Sequence, residues 1–506
     1  MIVWPEAGAP WGAGFLLRAF LLRATGIDRG GRVAYLTSMQ RIICVVLFAV
    51  ILVPSGWAQQ HQVPESQMQV QLSYAPLVEK TAPAVVNIYT RKIITNRQVT
   101  PLFNDPFFRR FFGDFGLPLE KGKRERQNTL GSGVIVRSDG LIVTNEHVIE
   151  GADKVIVVLS DQRQFDAELV VSDDKSDLAV LKINPEGEAL PALELMDSDD
   201  VKVGDLVLAI GNPFGVGQTV TSGIVSAVAR TIATDTILKS FIQTEAAINP
   251  GNSGGALVSM DGRLVGVNTS IYSQSGGSLG IGFAVPSNMV RAVVNGMTAD
   301  GRLVRPWLGA YGQKVTSDIA SSIGMRVPQG VIVNQVHEAG SAGAAGLRPG
   351  DIILAVNGHD VFGPEELAYR IATLPVGDQA VLRIRRGAET LALTTDLSPP
   401  PNEPEANLTE LKGRHPLAGA VVANLSPAIA ERHNLHPFNS GVVILKIRRG
   451  GVADRLEFLP GDLVRQINGH DVAQVSDIGD AVKDGGVEWR IRVERDGKPY
   501  DLIFRG

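Results

Sequence analysis

The sequence GVIVRSDGLIVTN, residues 133–145, decides the fold of the region around it. Two short runs of aliphatic residues flank a Ser-Asp-Gly turn, a pattern that predicts two short strands. Similar runs recur from residue 74 to residue 285, among them AVVNIYT, KVIVVLS, DLAVLKI, GDLVLAIG and LVGVNTSIY. Many short strands with regularly spaced turns favour a mainly β domain, either a barrel or a pair of packed sheets. The helical pattern PSNMVRAVVNGMTADG is predicted to close this domain.

The length and composition of the chain limit the functions it can have. Its 506 residues exceed the size at which one hydrophobic core keeps growing, so about three or four domains are expected. The net charge of −5, with no long acidic or basic block, argues against a nucleic-acid-binding surface. A single cysteine, Cys44, excludes a disulfide framework and a cysteine-based metal site. No metal-binding or nucleotide-binding motif occurs, so no cofactor is predicted.

Residues 39–58, MQRIICVVLFAVILVPSGWA, have the pattern of a secretory signal. One arginine precedes twelve apolar residues, and a Pro-Ser-Gly break leads to the small-x-small sequence Gly-Trp-Ala. We therefore predict export, with cleavage after Ala58. The alternatives are an uncleaved anchor or a buried helix, although twelve apolar residues are short for a membrane span of about 20. Residues 1–38 are interpreted as a non-native extension and residues 59–74 as a flexible leader.

Residues 100–128, TPLFNDPFFRRFFGDFGLPLEKGKRERQN, interrupt the strand pattern. They contain six phenylalanines among prolines, glycines and arginines and fit neither strand nor helix periodicity, which predicts a long loop. Six aromatic side chains are costly to leave in water, so we expect this loop to pack against something, with another subunit as a candidate.

The C-terminal half contains an internal repeat. Residues 330–361 align without gaps on residues 441–472, and 12 of the 32 positions are identical, including Pro-Gly-Asp and Asn-Gly-His-Asp-Val. The repeat predicts two similar modules, one at residues 303–397 and the other at residues 412–506. The Pro-rich residues 398–411 are predicted to link them.

The stretch TEAAINPGNSGGAL, residues 244–257, contains a candidate nucleophile, Ser253. A Gly-rich turn can direct several backbone N–H groups into one small volume, as an oxyanion requires. Considered alone, the turn is equally consistent with a tight connection between two strands. A nucleophilic serine also needs a base, and His147 is the sole histidine between the leader and Ser253. A lone histidine after a strand is more often structural.

The acid that orients such a histidine has several candidates in the sequence. They are Asp153, Asp166, Asp173, Asp174 and Asp177. Asp177 begins the alternating run DLAVLKI, which suits a carboxylate at the edge of a core, whereas Asp173 and Asp174 lie in a more polar turn and are expected to be solvated. The order His147, Asp177, Ser253 is that of chymotrypsin-like proteases and differs from the order in subtilisins and α/β-hydrolases.

Five motifs occur in order along the predicted β domain: TNEHVI, SDLAVLKI, GNPFGVGQTVTSGIVSA, NPGNSGGAL and GIGFAVPSNM. Together with the two PDZ-like repeats that follow, they resemble the HtrA (Deg) family of periplasmic serine proteases. The resemblance extends from about residue 74 to the C-terminus. It implies a mainly β fold, with a chymotrypsin-like double β-barrel protease domain at residues 75–300 and two α+β PDZ domains. It also implies an ATP-independent endoprotease that degrades unfolded envelope proteins, and a trimer or a multiple of trimers. The Phe-rich loop at residues 100–128 is our candidate for the contact between protomers.

The resemblance also implies roles for individual residues of the protease domain. His147 accepts the proton of Ser253, and Asp177 holds the imidazole in the required tautomer. The backbone amides of Gly251, Asn252 and Ser253 form the oxyanion hole. In the trypsin-like pattern the residue six positions before the nucleophile lines the substrate pocket. That residue is Ala247, followed by Ile248, which predicts small aliphatic residues at P1.

Each PDZ-like module contains a candidate turn for binding a peptide C-terminal carboxylate. In the first module, RPWLGAY places the amides of Leu308, Gly309 and Ala310 at this turn, with Arg302 or Arg305 nearby. In the second module, HPLAGAV offers the amides of four residues, Leu417, Ala418, Gly419 and Ala420. Without the resemblance, either turn is consistent with a plain connection to a strand. The expected partners are therefore unfolded proteins and peptides with free C-termini.

Two other functions are compatible with these motifs. A holdase chaperone or scaffold would use the same cleft and PDZ surfaces with little proteolysis. A membrane-anchored stress-signalling protease would retain the apolar segment, but two PDZ modules and a cleavage site count against it. Cleavage of unfolded protein by the wild type and not by a Ser253→Ala variant distinguishes the protease from the holdase.

Overall fold

The computed structural model describes residues 73–93, 126–212, 217–231, 238, 240–249, 251–271, 280–483 and 488–505. The predicted extension, the predicted signal and the leader as far as residue 72 lie outside the described residues, as do residues 100–125 of the Phe-rich segment. Residues 126–128, predicted to end that loop, instead begin a strand because they pair with residues 91–93. Within the described ranges, no helix is long and apolar enough to cross a membrane.

The N-terminal part of the described chain forms a closed six-stranded barrel. It follows helix α1 (Ala75–Thr81) and a single 3-10 turn (Ala82–Ala84). Its strands are β1 (Val85–Ile93), β2 (Arg126–Arg137), β3 (Leu141–Thr144), β4 (Lys154–Val158), β5 (Gln164–Asp173) and β6 (Leu178–Lys182). They are hydrogen-bonded in the order β1-β2-β3-β6-β5-β4, and the short helix α2 (Glu146–Ile149) lies between β3 and β4.

A second closed barrel follows in the chain. Its strands are β7 (Leu206–Gly211), β8 (Thr219–Thr231), β9 (Ser240–Thr244), β10 (Ala256–Ser259), β11 (Leu264–Ile271) and β12 (Gly282–Pro286). They are hydrogen-bonded in the order β10-β11-β12-β9-β8-β7, and helix α3 (Ser287–Asn295) follows β12. The predicted double-barrel fold is therefore confirmed.

The apolar runs are continuous because their strands are buried on both faces. In β7, Val207 and Ala209 belong to the core of the second barrel, whereas Leu208 and Ile210 belong to a cluster shared between the barrels. The same alternation occurs in β3, where Ile142 lies in the first-barrel core and its two neighbours lie in the shared cluster. Side chains alternate across a strand, so each strand contributes to two cores. The shared core holds the barrels together and brings their strand ends to a common boundary.

The first C-terminal module is an antiparallel sheet with helices. Its strands are β13 (Ala310–Lys314), β14 (Val331–Val336), β15 (Ile352–Val356), β16 (His359–Asp360), β17 (Gln379–Arg386) and β18 (Glu389–Asp396). Its helices are α4 (Ser317–Ser322), α5 (Ser341–Ala344) and α6 (Pro364–Ala372). Strand β13 is the edge of the path β13-β14-β15-β17-β18. Helix α6 packs on the protease domain, and burial among the shared-core residues raises the pKa of Tyr369 to about 12.

The second module has the same arrangement with one more strand. Its strands are β19 (Thr409–Glu410), β20 (Ala420–Asn424), β21 (Val442–Ile447), β22 (Leu463–Ile467), β23 (His470–Asp471), β24 (Glu488–Arg495) and β25 (Lys498–Arg505). Its helices are α7 (Pro427–Arg432), α8 (Val452–Arg455) and α9 (Val475–Ala481). Strands β14, β15 and β16 recur as β21, β22 and β23 at an offset of 111 residues, as the repeat predicts. Strand β19 lies inside the segment predicted as a linker, because it pairs with β20.

A buried ionic cluster joins the protease domain to both modules. Arg305, near the start of the first module, forms a bidentate ion pair with Asp173, and both side chains are almost completely buried. The prediction that Asp173 is solvated is therefore wrong, because its counterion is supplied by a distant part of the chain. Next to this pair, the ammonium group of Lys175 donates to the backbone carbonyl of Glu431 in α7. Burial lowers the pKa of Lys175 and raises the pKa of the Glu431 carboxyl.

Candidate active site

The Gly-rich turn containing Ser253 lies at the boundary between the two barrels, directly before β10. Gly251 and Gly254 have φ values of +98° and +82°, a region that side chains disfavour. A Cβ atom on Gly254 would lie 2.0 Å from the carbonyl oxygen of Ser132 in the first barrel. Within the turn, the amide of Asn252 donates to the carbonyl of Asn249 at 2.9 Å. The glycines are therefore required by the backbone conformation and by the close approach of the barrels.

Two backbone amides of this turn remain available for an oxyanion. Within the described part of the chain, the N–H groups of Gly251 and Ser253 have no hydrogen-bond acceptor, which agrees with two of the three predicted donors. The third predicted donor, the amide of Asn252, is wrong, because its hydrogen bond to Asn249 keeps it inside the turn. The structure therefore offers two donors separated by one residue.

His147 and Asp177 form a close pair in the first barrel. The ring Nδ1 of His147 lies 2.8 and 2.9 Å from the two carboxylate oxygens of Asp177, and the backbone N–H of His147 donates to the same carboxylate at 3.2 Å. Asp177 has a φ of +55°, and its carbonyl accepts a hydrogen bond from the buried Asn145 side chain at 2.9 Å. Sequence reasoning missed Asn145, which immediately follows β3 and fixes this unusual backbone conformation.

The environment of Asp177 favours its ionised form. Burial alone raises the pKa of this carboxyl, but the hydrogen bonds from the His147 ring, the Thr269 hydroxyl and the His147 backbone outweigh burial and hold the pKa below its usual value. A carboxylate facing Nδ1 places the ring proton there and leaves Nε2 as the free base. His147 is half-exposed, so Nε2 is accessible from the boundary between the barrels.

Thr269 in β11 contacts both the carboxylate and the serine. Its hydroxyl donates to Asp177, and its backbone carbonyl accepts the hydroxyl hydrogen of Ser253 at 2.8 Å. In this structure the Ser253 hydroxyl therefore donates to Thr269. Among the described residues, no hydrogen bond joins Ser253 to the ring of His147. Such contacts in unliganded sites often tighten only when substrate binds. The sequence did not identify Thr269, although a polar Asn-Thr pair inside the buried run LVGVNTSIY signals side chains that need partners.

The predicted substrate-pocket residues have different environments. Ala247 is half-buried, and its carbonyl accepts a hydrogen bond from the Thr221 hydroxyl at 2.8 Å. Ile248 is only 1% exposed and belongs to the core of the second barrel. The prediction that Ile248 lines the pocket is therefore wrong in this structure, because its side chain packs inside the barrel.

The predicted carboxylate turn of the first module has free amides. The carbonyls of Leu308 and Gly309 accept hydrogen bonds from Ala342 and His337 at 2.8 Å, whereas the N–H groups of Leu308 and Gly309 have no acceptor among the residues described. Ala310 begins the edge strand β13. Neither predicted arginine is available there, because Arg305 pairs with Asp173 and Arg302 pairs with Asp300.

The corresponding turn of the second module is already hydrogen-bonded internally. The amides of Ala418, Gly419 and Ala420 donate to the carbonyls of His415, Leu411 and Leu417, at 3.1, 2.8 and 3.1 Å respectively. Strand β19 also pairs with β20, on the side where a peptide would add. Of the four predicted donors, only the Leu417 amide has no acceptor among the described residues, while residues 409–411 of the chain itself occupy the strand edge and the Gly419 amide.

Comparisons with known proteins agree with this architecture. Residues 131–267 match the model of the trypsin-like peptidase domain, and residues 277–397 and 443–495 each match a PDZ domain model. A probable periplasmic serine endoprotease DegP-like from Marinomonas sp. (strain MWYL1) is 36% identical over 478 residues, covering 92% of this chain and 98% of that protein. A protein of the same description from Halomonas elongata is 35% identical over 500 residues, covering 93% and 99%. The solved structure of the HtrA-type protease AlgW with decapeptide is 43% identical and covers 65% of this chain and 99% of that chain, with a TM-score of 0.48.

The double barrel and its peptidase match define a serine endopeptidase of the trypsin-like class, followed by two PDZ domains. Relatives that are more than a third identical align with nearly the whole chain. The chain therefore belongs to the HtrA family, among the DegP-like serine endoproteases. These comparisons do not favour the alternatives of a holdase or scaffold or of a membrane-anchored signalling protease.

Proposed function

We propose that Ser253 is the nucleophile of this protease, His147 its general base and Asp177 the carboxylate that orients the base. The observation that carries this assignment is the arrangement around Thr269, which is hydrogen-bonded to Asp177 and to Ser253 at once. On substrate binding, the Ser253 hydroxyl exchanges the Thr269 carbonyl for Nε2 of His147. The serine oxygen then attacks the substrate carbonyl, His147 receives the proton, and the same proton passes to the leaving amine.

The two free amides of the turn stabilise the charge that develops in this reaction. As the carbonyl carbon becomes tetrahedral, its oxygen becomes an oxyanion that accepts hydrogen bonds from Gly251 and Ser253. Each such donor contributes about 3 kcal/mol to transition-state stabilisation. Ala247 is the remaining candidate wall of the P1 pocket, and its small apolar side chain supports cleavage after small aliphatic residues.

The substrates that we propose are unfolded proteins of the bacterial periplasm. The relatives are named periplasmic endoproteases, and residues 39–58 have the pattern of an export signal that is removed after Ala58. An unfolded chain supplies the extended segment that a protease cleft requires. We also propose a homotrimer or a multiple of trimers, with residues 100–128 at the contact between protomers. Light scattering of the intact protein measures the molar mass of the assembly and so tests the number of protomers directly.

The first PDZ domain is proposed to recruit substrates by their C-termini. The free amides of Leu308 and Gly309 suit a carboxylate, and the unpaired edge of β13 suits addition of an extended peptide. The second PDZ domain differs in both features, because residues 409–410 pair with its strand edge and three of its four predicted amides are already hydrogen-bonded. We therefore expect each chain to bind one substrate C-terminus, at its first PDZ domain.

Cleavage of an unstructured synthetic peptide with a free apolar C-terminal residue tests both parts of this proposal. Charge-assisted hydrogen bonds are worth about 1.5 to 3 kcal/mol each, so kcat/KM is expected to be at least about tenfold higher for the acid than for the amidated peptide. A stably folded protein with the same C-terminal residues serves as the control and should remain intact.

The two parts of the proposal fail differently in this experiment. Equal rates for the acid and the amide would remove the carboxylate role of Leu308 and Gly309 and leave the protease assignment unchanged. Equal cleavage of the folded and the unfolded substrate would instead contradict the proposed preference for unfolded chains.

A further inference from the structure

Ser132 lies in β2 of the first barrel, but its hydrogen bonds extend into the second barrel. Its hydroxyl donates to the carbonyl of Gly251 at 2.6 Å and accepts from the backbone amide of Asn212 at 2.8 Å. Its backbone N–H donates to the carbonyl of Ser253 at 2.8 Å. The side chain is completely buried, so these hydrogen bonds do not compete with water.

Ser132 donates to the backbone carbonyls of Gly251 and Ser253. These are the same two residues whose backbone amides have no acceptor within the described part of the chain. Gly251 needs this restraint because its φ of +98° is only one of the conformations open to a glycine, and no Cβ atom limits the others. The side chain of the turn's own Asn252 supplies no restraint, since its buried amide nitrogen and oxygen have no partner within the described residues. The hydroxyl of Ser132 is therefore the side-chain group that fixes the Gly251 carbonyl.

We propose that Ser132 is a positioning residue that holds the amides of Gly251 and Ser253 in the geometry required by the oxyanion. It acts across the barrel boundary, so the turn of the second barrel is aligned with the His147–Asp177 pair of the first. This inference rests on the proposed role of Ser253 and deepens it. A purely structural serine would affect stability and leave transition-state binding unchanged.

The experiment compares full-length Ser132→Ala with the wild type, using a cleavable peptide and a peptide boronate. The boronate forms a tetrahedral adduct with a nucleophilic serine and therefore measures transition-state binding directly. Misplacing a catalytic group by about 1 Å can cost about 100-fold in rate, so we expect kcat to fall about 10- to 100-fold with little change in KM. The affinity for the boronate should fall by the same factor. Substrate binding, measured without turnover, should be equal in the Ser253→Ala variant and in the double variant that also carries Ser132→Ala.

The matched control is Ser287→Ala, which removes another completely buried hydroxyl from the protease domain. Ser287 lies in helix α3, and its hydroxyl donates to the carbonyl of Met196 at 2.7 Å. No hydrogen bond joins this hydroxyl to the described residues of the turn. Its loss should lower the melting temperature and leave kcat and boronate affinity within about twofold of the wild type. If Ser132→Ala does not fold, Ser132→Cys replaces it. The cysteine side chain is slightly larger than that of serine and leaves no cavity, but its thiol donates weakly, so this variant should give a smaller loss of the same kind.

Unchanged kcat and boronate affinity in Ser132→Ala would overturn the proposal, as would a loss of kcat without a parallel loss of boronate affinity. The Ser253→Ala variant is assayed alongside. If Ser253→Ala retained cleavage, the proposed function itself would fail. If Ser253→Ala is inactive and Ser132→Ala resembles Ser287→Ala, only the positioning role is lost.

Discussion

Replacement of Ser253 by alanine is expected to lower kcat for peptide cleavage by about 10⁶-fold, because the site would lose the atom that forms the acyl-enzyme. Among the residues that the structure describes, the Ser253 hydroxyl makes one hydrogen bond, to the Thr269 carbonyl, so the fold should be unaffected by its loss. Cleavage of an unfolded peptide followed by mass spectrometry measures the rate. Circular dichroism and light scattering establish that the variant is folded and assembled as the wild type is.

The matched control for this variant is Ser259→Ala in the adjoining strand β10. The Ser259 hydroxyl contacts Asp261 and the Arg263 carbonyl and lies outside the proposed site. Its removal should leave kcat within about twofold of the wild type. Wild-type cleavage by Ser253→Ala, or an equal loss in Ser259→Ala, would remove the nucleophile assignment.

Replacement of Asp177 by asparagine is expected to lower kcat by about 10⁴-fold with little change in KM. The asparagine amide can donate to Nδ1 of His147 and so favours the tautomer in which Nε2 carries the proton and cannot act as a base. The exposed Asp174, three residues earlier, provides the matched control. Asp174→Asn changes the same charge and should remain within about twofold of the wild type.

The lowered pKa of Asp177 adds a pH dependence to this prediction. Hydrogen bonds hold the folded-state pKa below the unfolded value of about 3.9, so the stabilisation by Asp177 is complete above that pH. It is lost as the pH falls through the lowered pKa. We therefore expect the free energy of unfolding of the wild type to decrease in this acidic range, and Asp177→Asn should lack the part of that decrease that comes from Asp177. An unchanged kcat for Asp177→Asn would show that another group orients His147.

The sequence predicted the architecture, and it also singled out three candidate catalytic residues, because both depend on local signals. Each candidate stands beside a strand with a recognisable pattern: His147 follows GLIVTN, Asp177 begins DLAVLKI, and Ser253 lies in a turn that only glycines permit. The chain order of the three residues then selected one class of protease. The repeat likewise predicted matching strands, because the identical residues lie at the same strand ends and turns in both modules.

The incorrect predictions depended on contacts made over long distances in the chain. Asp173 is buried because Arg305, more than a hundred residues away, neutralises it. The predicted carboxylate turns of the two PDZ domains have similar sequences, but in the second turn Leu411 accepts from the Gly419 amide and His415 accepts from the Ala418 amide. The contact of Thr269 with Asp177 and the contacts of Ser132 with the Gly-rich turn form only when the two barrels meet. The residue pattern of strand β2 or of strand β11 does not reveal these contacts between the barrels.

Covalent labelling tests the central claim, that Ser253 is a nucleophile activated by His147, most directly. A fluorophosphonate transfers its phosphorus to an activated serine oxygen, a new P–O bond replaces the P–F bond, and fluoride leaves as His147 takes the hydroxyl proton. After proteolytic digestion, mass spectrometry should find a single adduct on Ser253 in the wild type and no adduct in His147→Ala. An adduct on another residue, or equal labelling of Ser253 in His147→Ala, would contradict the account.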